Sequence, residues 1–256
     1  MEKSKRKTDV ILKSVKEIWK MRECAFFLAE FLQQLKLQVR PGVTTNELNK
    51  YAESLLFERS LTPAFKGYED FPASLCTSVN NIVCHGLPSN YKLKKGDIVG
   101  LDFGVYHNGF YSDSTITVPV GKVSQKTEKL LRVTEEALYR GIDKARIGNR
   151  ISDISKAIED CVGETEFSIV RALTGHGIGR GLHEGPKVYN YVNKDDDMEL
   201  EYGLVFAIEP MVNIGTYEIQ RLEDGFSIGT ADGSLSAHFE HTVAILETGP
   251  WILSLI

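Results

Sequence analysis

At 256 residues the chain is long enough to bury a substantial core, as one large α/β domain or two small ones. Hydrophobic residues make up 42% and charged residues 25%, as in ordinary globular proteins, and no low-complexity segment interrupts them. A net charge of −5 and a pI near 5.8 give no general reason for nucleic-acid binding, and no run approaches the ~18 apolar residues of a membrane span.

The basic cluster KSKRK at 3–7 is followed by no apolar run and no small-residue cleavage site, so residues 1–8 read as a flexible tip rather than a secretory signal. Over residues 9–37 apolar side chains step by threes and fours from Ile11 through Val15, Ile18, Met21, Ala25, Leu28 and Leu32 to Leu35. That spacing predicts an amphipathic helix, ended by Pro41 and Gly42. A second helix is predicted over 44–59, with Thr44 and Glu47 forming a capping box. Both helices read as scaffold. Cys24, Cys76, Cys84 and Cys161 are scattered without CxxC spacing, which argues against structural zinc and for reduced thiols in the cytoplasm.

Residues 62–88 alternate turn signals with short apolar runs, and two features stand out there. Phe65, Tyr68 and Phe71 make a loop-borne aromatic cluster, suited to core or to a small apolar pocket, and a strand-like run ends at His85. Cys84 beside His85 suggests a thiol nucleophile, but adjacent residues on an extended segment face opposite ways.

The hairpin GDIVGLDFGVYHNGFYSD at 96–113 is the centre of the chain. Asn-Gly is the strongest short hairpin signal, and with Asn108 and Gly109 in the loop Asp102 pairs near residue 115, diagonal to Asp113. Residues so placed are roughly 7–8 Å apart at Cα, close enough for their carboxylates to converge on one ion. Two anions at that distance need a cation or a shared proton.

Two further helices are predicted over 125–146 and 151–161, with Gly148 as a stop and Ser152 as an N-cap. The segment ALTGHGIGRGLHEGPKVYNY then brackets His176 and His183 with glycines. It has neither the pattern nor the strand–loop–helix order of a phosphate cradle; its glycines suit close backbone approach to a ligand. Two strand-like runs near the C-terminus carry Glu209 and Glu240 inside apolar surroundings. A lone carboxylate buried there costs several kcal/mol.

Asp102, Asp113, Glu209 and Glu240, with His176, are thus four carboxylates and one imidazole in strand-like or glycine-rich settings. The acids need about +4 of compensation, no lysine or arginine lies within these strands, and two divalent cations would balance them.

Taken with CHG at 84–86, GHGIGRGLHEGP at 175–186, IEPM at 208–211 and FEHT at 239–242, these residues resemble the type I methionine aminopeptidases over nearly the whole chain. The His176–Glu209 interval leaves no room for the type II insertion, and no zinc-binding extension of the eukaryotic type I kind is present. The resemblance is therefore to the bacterial, minimal-length form, with 1–256 as one catalytic domain. It implies the α+β pita-bread fold, two similar α/β halves around a curved antiparallel sheet that holds two divalent ions. Asp102 would chelate one ion, Asp113 and Glu240 would bridge both, and His176 and Glu209 would complete the other. Cobalt, manganese, iron(II) or zinc suits such ligation.

The implied reaction is hydrolytic removal of the initiator methionine from nascent polypeptides with a small second residue. Glu209 would manage the water's proton, His183 would stabilise the carbonyl oxygen, and His85 would contact the scissile amide. Tyr68, Phe71, Cys76, His85, Leu182 and Phe226 would form the methionine pocket, with Phe65 at its edge. Phe226 and Leu182 stand where relatives carry Trp and Phe, which suggests a slightly roomier pocket. His238 replaces the usual Gln and shares a face with Glu240, which suits a place beside the metal ligands. The family expectation is a monomer, cytoplasmic as the thiols suggest; the basic tip reads as a solvated tail, with transient ribosome contact as the alternative. The competing readings are a proline-specific pita-bread hydrolase and a non-catalytic pita-bread binding protein; all five ligand positions are filled here, which disfavours the latter.

Overall fold

The computed structural model describes residues 10–193 and 197–256, so the tip expected at 1–8 lies outside the described residues. Four helices run over Val15–Gln38 (α1), Thr45–Glu58 (α2), Gln125–Lys144 (α3) and Ile151–Gly163 (α4). Strands before the third helix are β1 (Thr62–Pro63), β2 (Leu75–Val79), β3 (Ile82–Cys84), β4 (Ile98–His107) and β5 (Phe110–Pro119). After the fourth helix come β6 (Ser168–Ile169), β7 (Gly175–Gly177), β8 (Glu184–Val188), β9 (Val205–Ile208) and β10 (Met211–Asn213). The last are β11 (Ile219–Arg221), β12 (Ile228–Thr230), β13 (Ser236–His238), β14 (Glu240–Leu246) and β15 (Gly249–Ile252).

Helix α1 begins later than its apolar periodicity predicts. Residues ahead of it are held extended, Val10 bridging to Gly185 and the Lys13 amide donating to the Gly203 carbonyl, and Glu17 accepts from the Ser14 amide at 2.8 Å to start the helix. The capping box predicted at Thr44 is present: its hydroxyl accepts from the Glu47 amide at 3.1 Å and its own amide donates to Glu47 Oε2 at 2.7 Å. At α4 the N-cap is Arg150, not Ser152. Asp153 accepts from the Arg150 amide at 2.7 Å, the Ser152 amide donates to Asp197, and the helix therefore starts two residues earlier than a serine cap would allow. Helix α3 ends at Lys144, and Gly148 lies beyond it in the α3–α4 link with φ +86°.

The large antiparallel sheet runs β1-β4-β5-β14-β9-β7-β8, with β2 also on β4 and β15 also on β14. Two three-stranded sheets, β13-β10-β6 and β11-β12-β3, complete it. Helices α1 and α2 cover the first half through Leu28, Phe31, Leu35, Leu48 and Leu55, packed on Leu101, Phe103 and Val105. Helices α3 and α4 cover the second through Leu130, Leu138, Ile154 and Ile158, packed with Phe206, Ile208 and Val243. This is the α+β arrangement of two α/β halves around one curved sheet that the resemblance implied.

Candidate active site

The β4–β5 hairpin sets the first two acids. Asn108 and Gly109 occupy the loop at φ +50° and +87°, the paired left-handed geometry of a type I′ turn. Asp102 consequently pairs with Thr115 and Asp113 with Gly104, the diagonal placement expected from the sequence. Along β4 the side chains alternate: Leu101, Phe103 and Val105 face the helices, and Asp102 faces the cavity. Gly104 has no room for a side chain, since a Cβ there would lie 2.7 Å from the Phe65 ring.

The other half supplies the remaining residues. Its strands β9 and β14 pair His241 with Ile208, so Glu240 and Glu209 stand one residue beyond that pair on neighbouring chains. His176 lies at the middle of β7 between two glycines. A Cβ on Gly177 would meet the Gly185 carbonyl oxygen at 2.0 Å, and one on Gly175 would meet the Ala207 carbonyl oxygen at 2.3 Å. Only glycine permits this approach, which brings the imidazole beside Glu209, with 3.6 Å from His176 Nε2 to Glu209 Oε1.

All five residues line one cavity of about 530 Å³. Side-chain ligand atoms of Asp113, His176 and Glu240 lie within 4.8 Å of one another. Among the described residues no lysine or arginine pairs with any of the four carboxylates; Glu209 is met by imidazoles alone, those of His176 and His238, each at 3.6 Å. Asp102 Oδ1, Asp113 Oδ1, Glu240 Oε1 and His238 Nε2 are buried without a hydrogen-bond partner.

Burial drives the titration of the whole group. It raises the carboxyl of Asp102 and holds those of Asp113, Glu209 and Glu240 well above the usual range, with mutual repulsion adding to it. The same burial lowers His176 to about 3 and His238 to about 4, with His183 repelling the former. Clustered acids that resist ionising, orphaned oxygens and neutral imidazole nitrogens form a donor set that fits divalent cations, whose charge would reverse those shifts.

The seam between the halves is also tied to these residues. Strands β5 and β14 share two ladder pairs, Glu240 with Thr115 and His241 with Ser114. Hydroxyls extend the joint: Thr115 donates to Glu240 Oε2 at 2.8 Å, and Thr242 accepts from the Asp113 amide at 3.1 Å while donating to its carbonyl at 2.7 Å. Thr117 likewise spans to His238, donating to its carbonyl at 2.6 Å and accepting from its amide at 3.0 Å. None of these hydroxyls was a sequence candidate; the hairpin register would have singled out Thr115, as the residue opposite Asp102.

The expected pocket residues all line the same cavity: Phe65, Tyr68, Phe71, Cys76, His85, Leu182, His183 and Phe226. Phe71 and Phe226 meet edge to face at 5.5 Å. Tyr68 Oη lies 2.8 Å from His183 Nδ1, and the His183 ring stacks edge-on to His176 at 4.3 Å. Cys84 corrects one argument from the sequence. It lines the cavity together with His85, because a φ of +54° at His85 breaks the alternation of an extended chain. Burial holds the Cys84 thiol well above its ordinary range, which still disqualifies it as a nucleophile.

Comparisons with known proteins identify the family. The model of metallopeptidase family M24 matches residues 20–247. A Clostridium perfringens protein named methionine aminopeptidase is 52% identical over 247 residues, covering 96% of this chain and 99% of its own length. The crystal structure of methionine aminopeptidase from Rickettsia prowazekii superposes with a TM-score of 0.94 at 38% identity, over 96% of this chain and 100% of that one. A prolidase from Pyrococcus furiosus, at 22% identity and TM-score 0.78 over 96% of this chain and 66% of that one, shares the fold. Family membership also brings divalent-metal use, which the donor set fits, and the chain belongs to the methionine aminopeptidases of metallopeptidase family M24.

Proposed function

We infer that the protein hydrolyses the first peptide bond of polypeptides beginning with methionine. The observation that carries this reading is one cavity in which four cation-free carboxylates and His176 adjoin an apolar recess of Tyr68, Phe71, Cys76, Leu182 and Phe226. A flexible thioether packs well against such an aromatic rim. Selectivity for a small second residue follows from the family, as does a freely diffusing cytoplasmic monomer; four reduced, buried thiols fit that compartment.

Two divalent ions would be held by Asp102, Asp113, His176, Glu209 and Glu240. When bound, such ions polarise the peptide carbonyl and make water nucleophilic at neutral pH. Glu209 takes the proton of the attacking water as the C–O bond forms, and returns it to the leaving nitrogen as the C–N bond then breaks. His176 and His238 flank its carboxyl, each at 3.6 Å. His183 donates to the carbonyl oxygen as charge develops there. The Tyr68 hydroxyl occupies its Nδ1, which leaves Nε2 for the substrate. His85 hydrogen-bonds the scissile amide and orients it.

The test is methionine release from Met-Ala-Ser and Met-Leu-Ser by ion-free protein supplied with manganese, iron(II), cobalt or zinc. Release from the alanine peptide alone is expected, lowered about 10²–10⁴-fold in Glu209→Gln. No release with any ion, despite tight binding of two, would overturn the reading.

A further inference from the structure

We propose that Lys13 is a positioning residue of the active site, acting through a buried ion pair with Glu184 on the turn that presents His183. Its ammonium lies 2.6 Å from Glu184 Oε2, and the two side chains are 2% and 8% exposed. Every other lysine or arginine ion pair among the described residues is partly open to solvent. A lysine and a glutamate are almost never this deeply buried without a reason tied to each other.

The second oxygen of the glutamate shows what the pair does. Glu184 Oε1 accepts from the Gly181 amide at 2.8 Å, closing the turn whose next residues are Leu182 and His183. The lysine's alkyl chain fills the space over Gly179, where a Cβ would fall 2.4 Å from Lys13 Cε. Gly179 in turn donates to the Gly181 carbonyl and accepts from the Tyr111 amide on β5. One carboxylate therefore joins the ammonium to the backbone of the turn, and Glu184 itself lines the cavity beside His183.

The arm that carries the lysine is fixed independently of it. Its amide donates to the Gly203 carbonyl at 2.7 Å, Val10 bridges to Gly185, and Glu17 on α1 meets Arg180 at 2.9 Å. Residues 10–17 thus run along the outer side of residues 179–185, with the Lys13 ammonium directed inward. Tyr68 orients the His183 ring from within the cavity, and Lys13 fixes its backbone from behind. Lys13 itself lines neither the metal donors nor the methionine recess; the turn it backs carries His183 and Leu182, and the split between kcat and KM reads which of the two it places.

The inference rests on the role given to His183 above, and the experiment separates the two. Lys13→Met keeps the chain length without the charge. Combined with Glu184→Gln, which retains an acceptor for the Gly181 amide, it leaves no unpaired charge. In Lys13→Met kcat is expected to fall about 10–100-fold with KM moved less than about threefold, as for a small misplacement of a group acting in the transition state. The double variant is expected to recover kcat to within about fivefold of the parent. Amide hydrogen exchange of the ion-free protein reads the turn without turnover: residues 179–185 are expected to exchange at least about tenfold faster in Lys13→Met, with α3 unchanged. Unchanged exchange at 179–185, a kcat within twofold of the parent, a loss confined to KM, or faster exchange throughout the chain would each overturn the proposal.

Discussion

Few residues in this chain are as constrained as the four carboxylates of the cavity, and the constraint is electrostatic. Asp113 has the carboxyls of Glu240, Asp102 and Glu209 as neighbours and no cationic side chain, so burial and repulsion both disfavour its charge. Around them the recess residues differ in kind, since they act by contact area. Phe226 touches Phe71 edge to face and lines the cavity. Phe226→Ala is therefore expected to raise KM for Met-Ala-Ser by about 10–100-fold, the ~1.5–3 kcal/mol of a buried aromatic, with kcat changed far less. Steady-state kinetics on the variant check this; a fall in kcat at constant KM would place Phe226 in the chemistry instead.

Single contacts decide how the elements position these groups. At β7 the chain passes so close to Gly185 that a methyl group at Gly177 would sit 2.0 Å from a carbonyl oxygen, and backbone cannot yield as a side-chain tip can. Gly177→Ala is expected to displace His176 and weaken manganese binding at least about tenfold by calorimetry, while the helices keep their far-UV circular dichroism. A polar staple works at the β12–β13 connection. The Ser234 side chain above all, with the Thr216 and Ser234 amides that donate to Asp232 at 2.8 and 2.9 Å, lowers its carboxyl to about 2. A folded-state value below the unfolded one contributes stability above the usual aspartate range, lost as pH falls from 3.8 towards 2. Asp232→Ala is expected to cost about 1 kcal/mol at neutral pH, since the group is solvent-screened, and to flatten that acid-limb decline in a melting series.

For the whole molecule, the proposed donor set divides across the seam. Asp102 and Asp113 belong to the β4–β5 half, whereas His176, Glu209 and Glu240 belong to the other. Besides the β5–β14 pairs and hydroxyls, the halves meet where β3 pairs with β12 and where Lys13 meets Glu184, and ions held by both would add one more cross-link at the cavity. Ligand bound only by the folded state stabilises by about 2.7 kcal/mol at a hundred times its Kd. Saturating manganese is accordingly expected to raise the melting midpoint of ion-free protein by about 5–10 °C, and a chelator to reverse it. An unchanged midpoint with ions bound would show that the unfolded chain binds them as well as the folded one, and that they add no cross-link.

Local chemistry made much of this legible in the amino-acid order. The Thr44 capping box, the Asn108-Gly109 turn and the apolar periodicity of the helices are interactions between near neighbours, so they can be read where they stand. The hairpin register placed Asp102 diagonal to Asp113 for the same reason, since a two-residue loop leaves one pairing. Five charged or imidazole residues without cationic neighbours then implied metal, because a buried anion must be compensated wherever it lies. Contacts between distant segments were beyond such reading. The start of α1 was misplaced because Val10 and Lys13 are held extended by Gly185 and Gly203, and Cys84 reached the cavity through the positive φ of His85. Thr117 and Thr242 at the seam, and Lys13 against Glu184, were illegible for one physical reason. A serine, threonine or lysine finds its partner across as many as 171 residues, and only packing of the two halves brings them within hydrogen-bond distance.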